Sequence, residues 1–318
     1  MKVFITRPIM DFGMERLQKA GLDVTVWEEN RALTPEELVS HCQQADGLLN
    51  AGINQLNAKF LEACQNLKVI SLHSVGYDHV DIETAKKFGI KVGNTPGVLT
   101  DATAETAFLL MQSVARNAFY LSNQISAGNW KASQDITQFG IELRGKTLGI
   151  FGLGSIGFAL AKRAKAAFDM EIIYHNRSTN DRAEKELDAR KVSFEELVTQ
   201  SDVLSVHANL TAENTGIFNG EVFGQMKPSA IFINTARGGF HNEPDLIQAL
   251  DNRQIWGAGL DVTNPEPMQP DNPLLKMPRV CILPHIGSAT IETRIAMLNL
   301  AIDNLLAGLN GTSMKAEV

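Results

Sequence analysis

Short apolar runs alternate with amphipathic stretches along nearly the whole chain. In the first hundred residues, Val3 to Ile5, Val24 to Val26, Gly47 to Leu49, Val69 to Leu72 and Ile90 to Val92 read as buried strands. The stretches between them have helical spacing. One opens at Thr34-Pro35-Glu36-Glu37, with a hydroxyl N-cap, proline at the first helical position and acid in the first turn. A second series begins at Lys146: a strand to Phe151, a helix from Ser155 to about Phe168, then strands at Met170 to Tyr174, Val203 to Val206, Ala230 to Asn234, Trp256 to Asp261 and Val280 to Leu283. After Pro284 a last helix is expected, to about Ala307. Between the two series, residues 100–127 contain neither Gly nor Pro and are rich in Ala, Leu and Met; they predict one long helix, buried on more than one face, that links two domains. Strand and helix alternating in this way build parallel sheets covered on both faces, so the expected class is α/β.

Composition narrows the partners more than the fold. A chain of 318 residues, 44% hydrophobic, suffices for one large or two ordinary globular domains. There are 36 acidic residues against 29 Lys and Arg, a net charge of −7, and no basic block, which argues against nucleic acid or an anionic membrane surface as the main partner. The apolar run near Met1 is too short for a signal peptide, and no segment approaches the ~20 apolar residues of a membrane span. A soluble, cytoplasmic protein is expected. Cys42, Cys64 and Cys281 are widely spaced without a CxxC pair, and the seven histidines include no HExxH. Neither a disulfide framework nor a metal site is expected.

The run LGIF is followed by Gly152-Leu-Gly154-Ser155-Ile156-Gly157 and a helical stretch. The first glycine permits a tight turn, the second lets the backbone approach a pyrophosphate, and the third lets helix pack on strand; the helix N-terminus favours the anion. This context makes GxGxxG a dinucleotide-binding turn. FAD and S-adenosylmethionine proteins use similar turns, but neither ligand accounts for the reactive groups that follow. Gly140 to Thr147 also fits GxxxxGK[ST], but Lys146 and Thr147 run into a strand rather than a helix, so the phosphate-loop match is rejected. At the end of the next strand an NAD-binding turn would place an acid on the ribose. Here the residues are His175-Asn176-Arg177-Ser178-Thr179, with no carboxylate before Asp181, and Glu171 stands at the wrong end of the strand. Donors and a cation suit the extra phosphate of NADP, so NADP(H) is favoured, with NAD as the alternative.

Three reactive residues follow strands of the second series: Arg237 in NTARGG, Glu266 in DVTNPEP and His285 in PHIGS. Loops at the carboxyl ends of parallel strands surround the ligand crevice. An Arg fork for a carboxylate, an acid for a developing alkoxide and an orienter for that acid are the set needed to reduce a 2-oxo acid. Each residue alone could equally be a loop cap, a solvated turn acid or a core histidine. Their joint placement beyond a dinucleotide turn favours function.

Taken in order, GLGSIG, NTARGG, DV..PEP and PHIGSAT, with Ser74 to Asp81 and Asn94 to Glu105, resemble the D-isomer-specific 2-hydroxyacid dehydrogenase family, closest to its glyoxylate and hydroxypyruvate reductases. The resemblance covers almost the whole chain. It implies two Rossmann-like, doubly wound parallel-sheet domains: a discontinuous, flavodoxin-like substrate domain of residues 1–99 and 286–318, and a dinucleotide-binding domain of residues 100–285 inserted in it, with the cleft at the hinge and a homodimer as the assembly. It also implies that His285 donates the proton, that Glu266 pairs with it and raises its pKa, and that Arg237 binds carboxylate and carbonyl. The amides of Val75 and Gly76 would hold the other carboxylate oxygen. Thr103 and Asp261 would lie by the nicotinamide, Ser155 and Ile156 by the pyrophosphate, and His207, Thr235, Ala236 and Ser288 complete the cofactor-binding positions. The implied substrate is a small 2-oxo acid such as glyoxylate or hydroxypyruvate, reduced by NADPH. Two departures stand out: the family often has proline in the segment that here reads His207-Ala208-Asn209-Leu210, and a typical Val-Asp-Glu is here His241-Asn242-Glu243.

Two rival readings are weaker. An NAD-dependent phosphoglycerate or other 2-hydroxyacid dehydrogenase would call for a ribose-binding acid and frequently a further C-terminal domain. A non-catalytic, nucleotide-sensing interaction protein would call for extensions that this chain, ending close to its expected core, does not offer.

Overall fold

Strand and helix alternate as the apolar pattern requires. The computed structural model describes residues 1–52, 54–130 and 138–318, and these fall into two compact units, Met1–Leu99 with Ala289–Val318, and Thr100–Ser288.

The first unit is a parallel sheet of β1 (Lys2–Ile5), β2 (Asp23–Val26), β3 (Gly47–Asn50), β4 (Val69–Leu72) and β5 (Lys91–Gly93), in the order β2-β1-β3-β4-β5. This is the flavodoxin-like order, with its switch point between β1 and β3. Every residue of β3 and β4 is buried, which is why both read as apolar runs without alternation. Helices α1 (Asp11–Lys19), α2 (Pro35–Cys42), α3 (Ala58–Ala63) and α4 (Ile82–Lys87) connect the strands. The signal at Thr34 is realised as a capping box: its hydroxyl accepts from the Glu37 amide while the Glu37 carboxylate accepts from the Thr34 amide. The C-terminal helix, Ile291–Leu309, packs Leu298, Ile302, Leu305 and Leu309 among Val3, Ile5, Leu49 and Val69. Ser71 donates to the Ala301 carbonyl at 2.7 Å. Buried Asn304 ties down the chain end, donating to the Asn94 carbonyl at 2.9 Å and accepting from the Ala316 amide at 3.1 Å.

The second unit is a parallel sheet in the order β12-β11-β10-β9-β6-β7-β8, made of β6 (Thr147–Phe151), β7 (Glu171–His175), β8 (Arg190–Lys191), β9 (Val203–Val206), β10 (Ile231–Asn234), β11 (Gly257–Leu260) and β12 (Val280–Ile282). Strand order reverses at β6, placing the switch point between β6 and β9. One face is covered by α5 (Thr100–Ala115) and α7 (Ser155–Phe168), with Leu110, Met111, Val114 and Leu160 packed among Leu148, Ile150 and Ile233. The other is covered by α9 (Phe194–Gln200), α10 (Gly220–Gln225) and α11 (Glu243–Asp251), around Phe151, Phe218, Phe223, Phe232 and Leu246. Two cores on opposite faces make the sheet doubly wound. Residues 286–288, expected with the first unit, fall in this one, where Asp261 holds the amides of Ile286 and Gly287.

The long helix expected over residues 100–127 is two helices. Asn117 adopts φ 54°, ending α5 and starting α6 (Ala118–Ser126), and its Oδ1 accepts from the Arg279 amide at 2.8 Å. Asparagine tolerates the left-handed conformation, and burial of this bond rewards it. Periodicity does not register such a break because Asn is neither Gly nor Pro. Among the described residues no helix is long and apolar enough to cross a membrane.

Candidate active site

The glycine turn follows β6. Gly152 has φ 94°, and a Cβ there would lie 2.5 Å from the Ala208 amide nitrogen, so side-chain absence lets the loop after β9 close on the turn. At Gly157 a Cβ would stand 2.9 Å from Ile150 Cγ2, so α7 could not seat on its strand. Gly154 is different: an added Cβ meets no protein atom within 4 Å. Its lack of a side chain answers no packing need of the chain and keeps clear the space at the N-terminus of α7. The N-cap Gly154 supplies no side-chain bond to that end, so the Ser155 and Ile156 amides face the position an anion fits. A cavity of about 810 Å³ lined by Gly154, Ser155, Phe158, Lys162, Asn180 and Arg182 adjoins the turn. The rejected phosphate-loop match lies in the turn before β6, with Thr147 already in the strand.

Asn176 braces this turn. Its Oδ1 accepts from the Leu153 amide at 2.6 Å and its Nδ2 donates to the Leu153 carbonyl at 3.2 Å. Arg177 and Ser178, which follow it, are both exposed. Glu171 opens β7 at the far end of the strand, as expected. His207, past the end of β9, has Nε2 2.8 Å from Ser205 Oγ, and burial pushes its pKa down to about 4, so the ring is neutral at working pH.

Arg237 follows β10 in a loop gripped from below. Fully buried Asn234 accepts from the Ala236 amide at 3.0 Å through Oδ1 and donates to the Arg237 carbonyl at 2.8 Å through Nδ2. The same Nδ2 lies 3.1 Å from Nδ1 of His241, a ring 2% exposed, which burial holds at a pKa of about 4. This explains part of the His241-Asn242 departure: His241 accepts from the Asn234 amide, and Asn242 caps α11 by accepting from the Asp245 amide at 3.2 Å. A Cβ on Gly238 would collide with the Thr263 carbonyl, so the loop carrying Arg237 rests on the loop carrying Glu266. Thr235 and Ala236 stand at the head of that loop, Thr235 Oγ1 3.5 Å from His207 Nδ1.

Glu266 and His285 meet across two loops. Glu266 Oε1 lies 2.6 Å from His285 Nδ1. Burial pushes the Glu266 carboxyl up, but the bond from His285, the His285 charge, the Thr263 backbone and the Arg237 charge outweigh it, leaving the pKa below the usual value. His285 has φ 54°, a left-handed conformation that a non-glycine residue holds only against resistance. Asp261 supplies the restraint: its two oxygens accept from the amides of Ile286 and Gly287, each at 2.7 Å. Burial nonetheless raises the Asp261 pKa, with the two amide bonds acting against it. Thr103 belongs to the same spot, since a Cβ on Gly287 would stand 2.9 Å from Asp261 Oδ2 and 3.3 Å from Thr103 Cγ2. Ser288 directly follows this clamped pair.

Val75 and Gly76 follow β4 in the first unit. The Ser74 hydroxyl donates to the Gly76 carbonyl and Asn94 Nδ2 to the Val75 carbonyl, both at 2.8 Å. Among the described residues their amides have no acceptor. No group of three His, Cys, Asp or Glu side chains among the described residues is placed to hold a metal ion. Two of the positions that spacing missed, Asn234 and the clamping role of Asp261, share one signal: a polar residue that ends an otherwise apolar strand or directly follows it; His241, beyond the turn Gly238–Phe240, carries no such signal.

A sheet that reverses beside a glycine turn, with a His–Glu pair at its carboxyl edge, defines the class: a dinucleotide-binding oxidoreductase domain. Residues 108–287 match the model of the D-isomer specific 2-hydroxyacid dehydrogenase, NAD binding domain, and the chain belongs to that family. It is 42% identical to the glyoxylate reductase of Thermococcus litoralis over 314 residues, 98% of this chain and 94% of the relative. It is 41% identical to the glyoxylate reductase/hydroxypyruvate reductase of Mus musculus over 320 residues, 100% and 98% of the two chains. Among solved structures, the NADPH-dependent glyoxylate/hydroxypyruvate reductase of Sinorhizobium meliloti, in complex with NADP and malonate, matches with a TM-score of 0.86 at 31% identity, covering 100% of this chain and 96% of that one.

Proposed function

We propose that this protein reduces a small 2-oxo acid, glyoxylate, hydroxypyruvate or a close analogue, to the D-2-hydroxy acid with NADPH. The observation that carries the reading is the Glu266–His285 bond at 2.6 Å, on loops beside the Arg237 loop and in the same unit as the glycine turn. The names of the relatives support the substrate class. Arg177 and Ser178, where an NAD site would have an acid, support NADP.

The bound nicotinamide supplies a hydride to the carbonyl carbon. Everything else falls to the chain. The Ser155 and Ile156 amides hold pyrophosphate, with Thr103, His207, Thr235, Ala236, Asp261 and Ser288 as further cofactor-binding positions. Arg237 grips carboxylate and carbonyl oxygen. Glu266 takes the Nδ1 proton of His285 as a hydrogen bond, which fixes the ring and leaves Nε2 to protonate the carbonyl oxygen as hydride arrives. The C=O π bond is replaced by C–H and O–H bonds, and the imidazolium becomes neutral imidazole. Exposed apolar side chains Leu109, Ile125, Trp130 and Phe139 support a homodimer. His285→Ala tests the core of the reading: kcat should fall by roughly 10²–10⁴ while NADPH affinity, read by fluorescence titration, stays near that of the parent. Unchanged turnover would refute it.

A further inference from the structure

The loop after β7 is held at both ends and open in the middle. Asn176 grips Leu153; the Asn180 amide donates to Tyr174 Oη, and Asn180 Nδ2 donates to the Leu153 carbonyl, both at 2.9 Å. Between these anchors Arg177, Ser178 and Thr179 are exposed. Lys191, the last residue of β8, pairs in register with Tyr174 near the end of β7, and its Nζ donates to the Arg177 carbonyl at 3.1 Å. An ammonium has three donor hydrogens. A bond to a neutral carbonyl uses one and cancels none of the charge.

The neighbouring carboxylates are mostly committed elsewhere. Glu184 accepts from Tyr174 Oη, Glu186 pairs with Arg182, Asp188 pairs with Lys165, and Glu196 completes the capping box of α9. Asp181, in the first turn of α8 (Asp181–Leu187), and Glu195, in the first turn of α9, have no such commitment among the described residues, and neither is paired with Arg177 or Lys191. One cation on the braced loop, Arg177, and one that reaches it from β8, Lys191, thus stand with no ion pair of their own among the described residues. That arrangement costs Coulomb energy unless an anion joins it.

We infer that Lys191 is a specificity-determining residue, closing with Arg177 and the Ser178 hydroxyl on the 2′-phosphate of the adenosine ribose. The inference rests on the NADP reading above and names a cation that no spacing rule along β7 points to. A ribose 2′-hydroxyl offers such a pair of cations little, whereas a phosphate dianion is held by both, so Lys191 favours the phosphorylated cofactor selectively.

The test separates this inference from the reading beneath it. Calorimetric affinities for 2′,5′-ADP and 5′-AMP, which differ by that phosphate, are measured on the full chain, its Lys191→Met variant and its Lys191→Arg variant. The parent should prefer 2′,5′-ADP; Lys191→Met should cut the preference roughly tenfold, with 5′-AMP affinity showing that the site still folds, and Lys191→Arg should restore most of it. A parent with equal affinity for both nucleotides overturns the NADP reading and the inference with it. A parent that prefers 2′,5′-ADP and a Lys191→Met variant that keeps the whole preference overturns Lys191 alone.

Discussion

His241 makes stability depend on pH in a way that can be worked out from its surroundings. The ring is 2% exposed, and burial lowers its pKa to about 4, against about 6.5 in an unfolded chain. Because the folded value is the lower one, the unfolded chain takes up the proton first as pH falls, and stability is lost between pH 6.5 and 4. The full separation is worth about 3 kcal/mol; at about pH 5 roughly 2 kcal/mol of it has gone, and above about pH 7.5 almost none. His241→Gln removes the titration while keeping a side-chain acceptor within reach of Asn234. Urea unfolding of parent and variant at pH 7.5 and pH 5 gives four midpoints. The parent should lose about 2 kcal/mol more than the variant between the two pH values. His73 and His207, also lowered by burial to about 4, contribute to both proteins and cancel in the comparison. Parallel losses in the two proteins would show that His241 takes up its proton as readily in the folded chain as in the unfolded one, and the reasoning would fail.

Two glycines of the same turn should behave oppositely. Gly152→Ala places a methyl 2.5 Å from the Ala208 nitrogen at φ 94° and should cost about 2–4 kcal/mol, visible as a lowered thermal midpoint. Gly154→Ala meets open space, so its midpoint should hold while dinucleotide affinity falls roughly tenfold or more; an unchanged Kd would show that the space is not the pyrophosphate site. In the first unit, Gly308→Ala drives a methyl into Val69 where the C-terminal helix crosses β4, and should cost about 1–3 kcal/mol by denaturant titration.

Much of the candidate site is legible in the sequence. Turn glycines announce themselves because tight turns, close approach and helix packing exclude side chains at fixed offsets. Arg237, Glu266 and His285 could be picked out because each follows an apolar run, and parallel strands deliver their following loops to one edge. Asn176 shows where this reading stops. Its position at the end of β7 suggested a ribose contact, yet its amide is spent on Leu153, at the end of a different strand. Asp261 is similar: position marked it as a site residue, but its grip on the amides of Ile286 and Gly287, which holds His285 at φ 54°, joins segments about 25 residues apart.

The sequence by itself determined the α/β class, the two strand series, the dinucleotide turn and the three residues on which the chemistry is proposed to rest. These follow from period, spacing and residue type, which act over a few positions. The tertiary structure alone decided the order of strands in each sheet, the break at Asn117, the 2.6 Å contact of Glu266 with His285, and the approach of Lys191 to the Arg177 carbonyl. Each depends on which distant segments lie side by side. That choice is made by burial summed over whole faces of the sheet, and no local pattern encodes it.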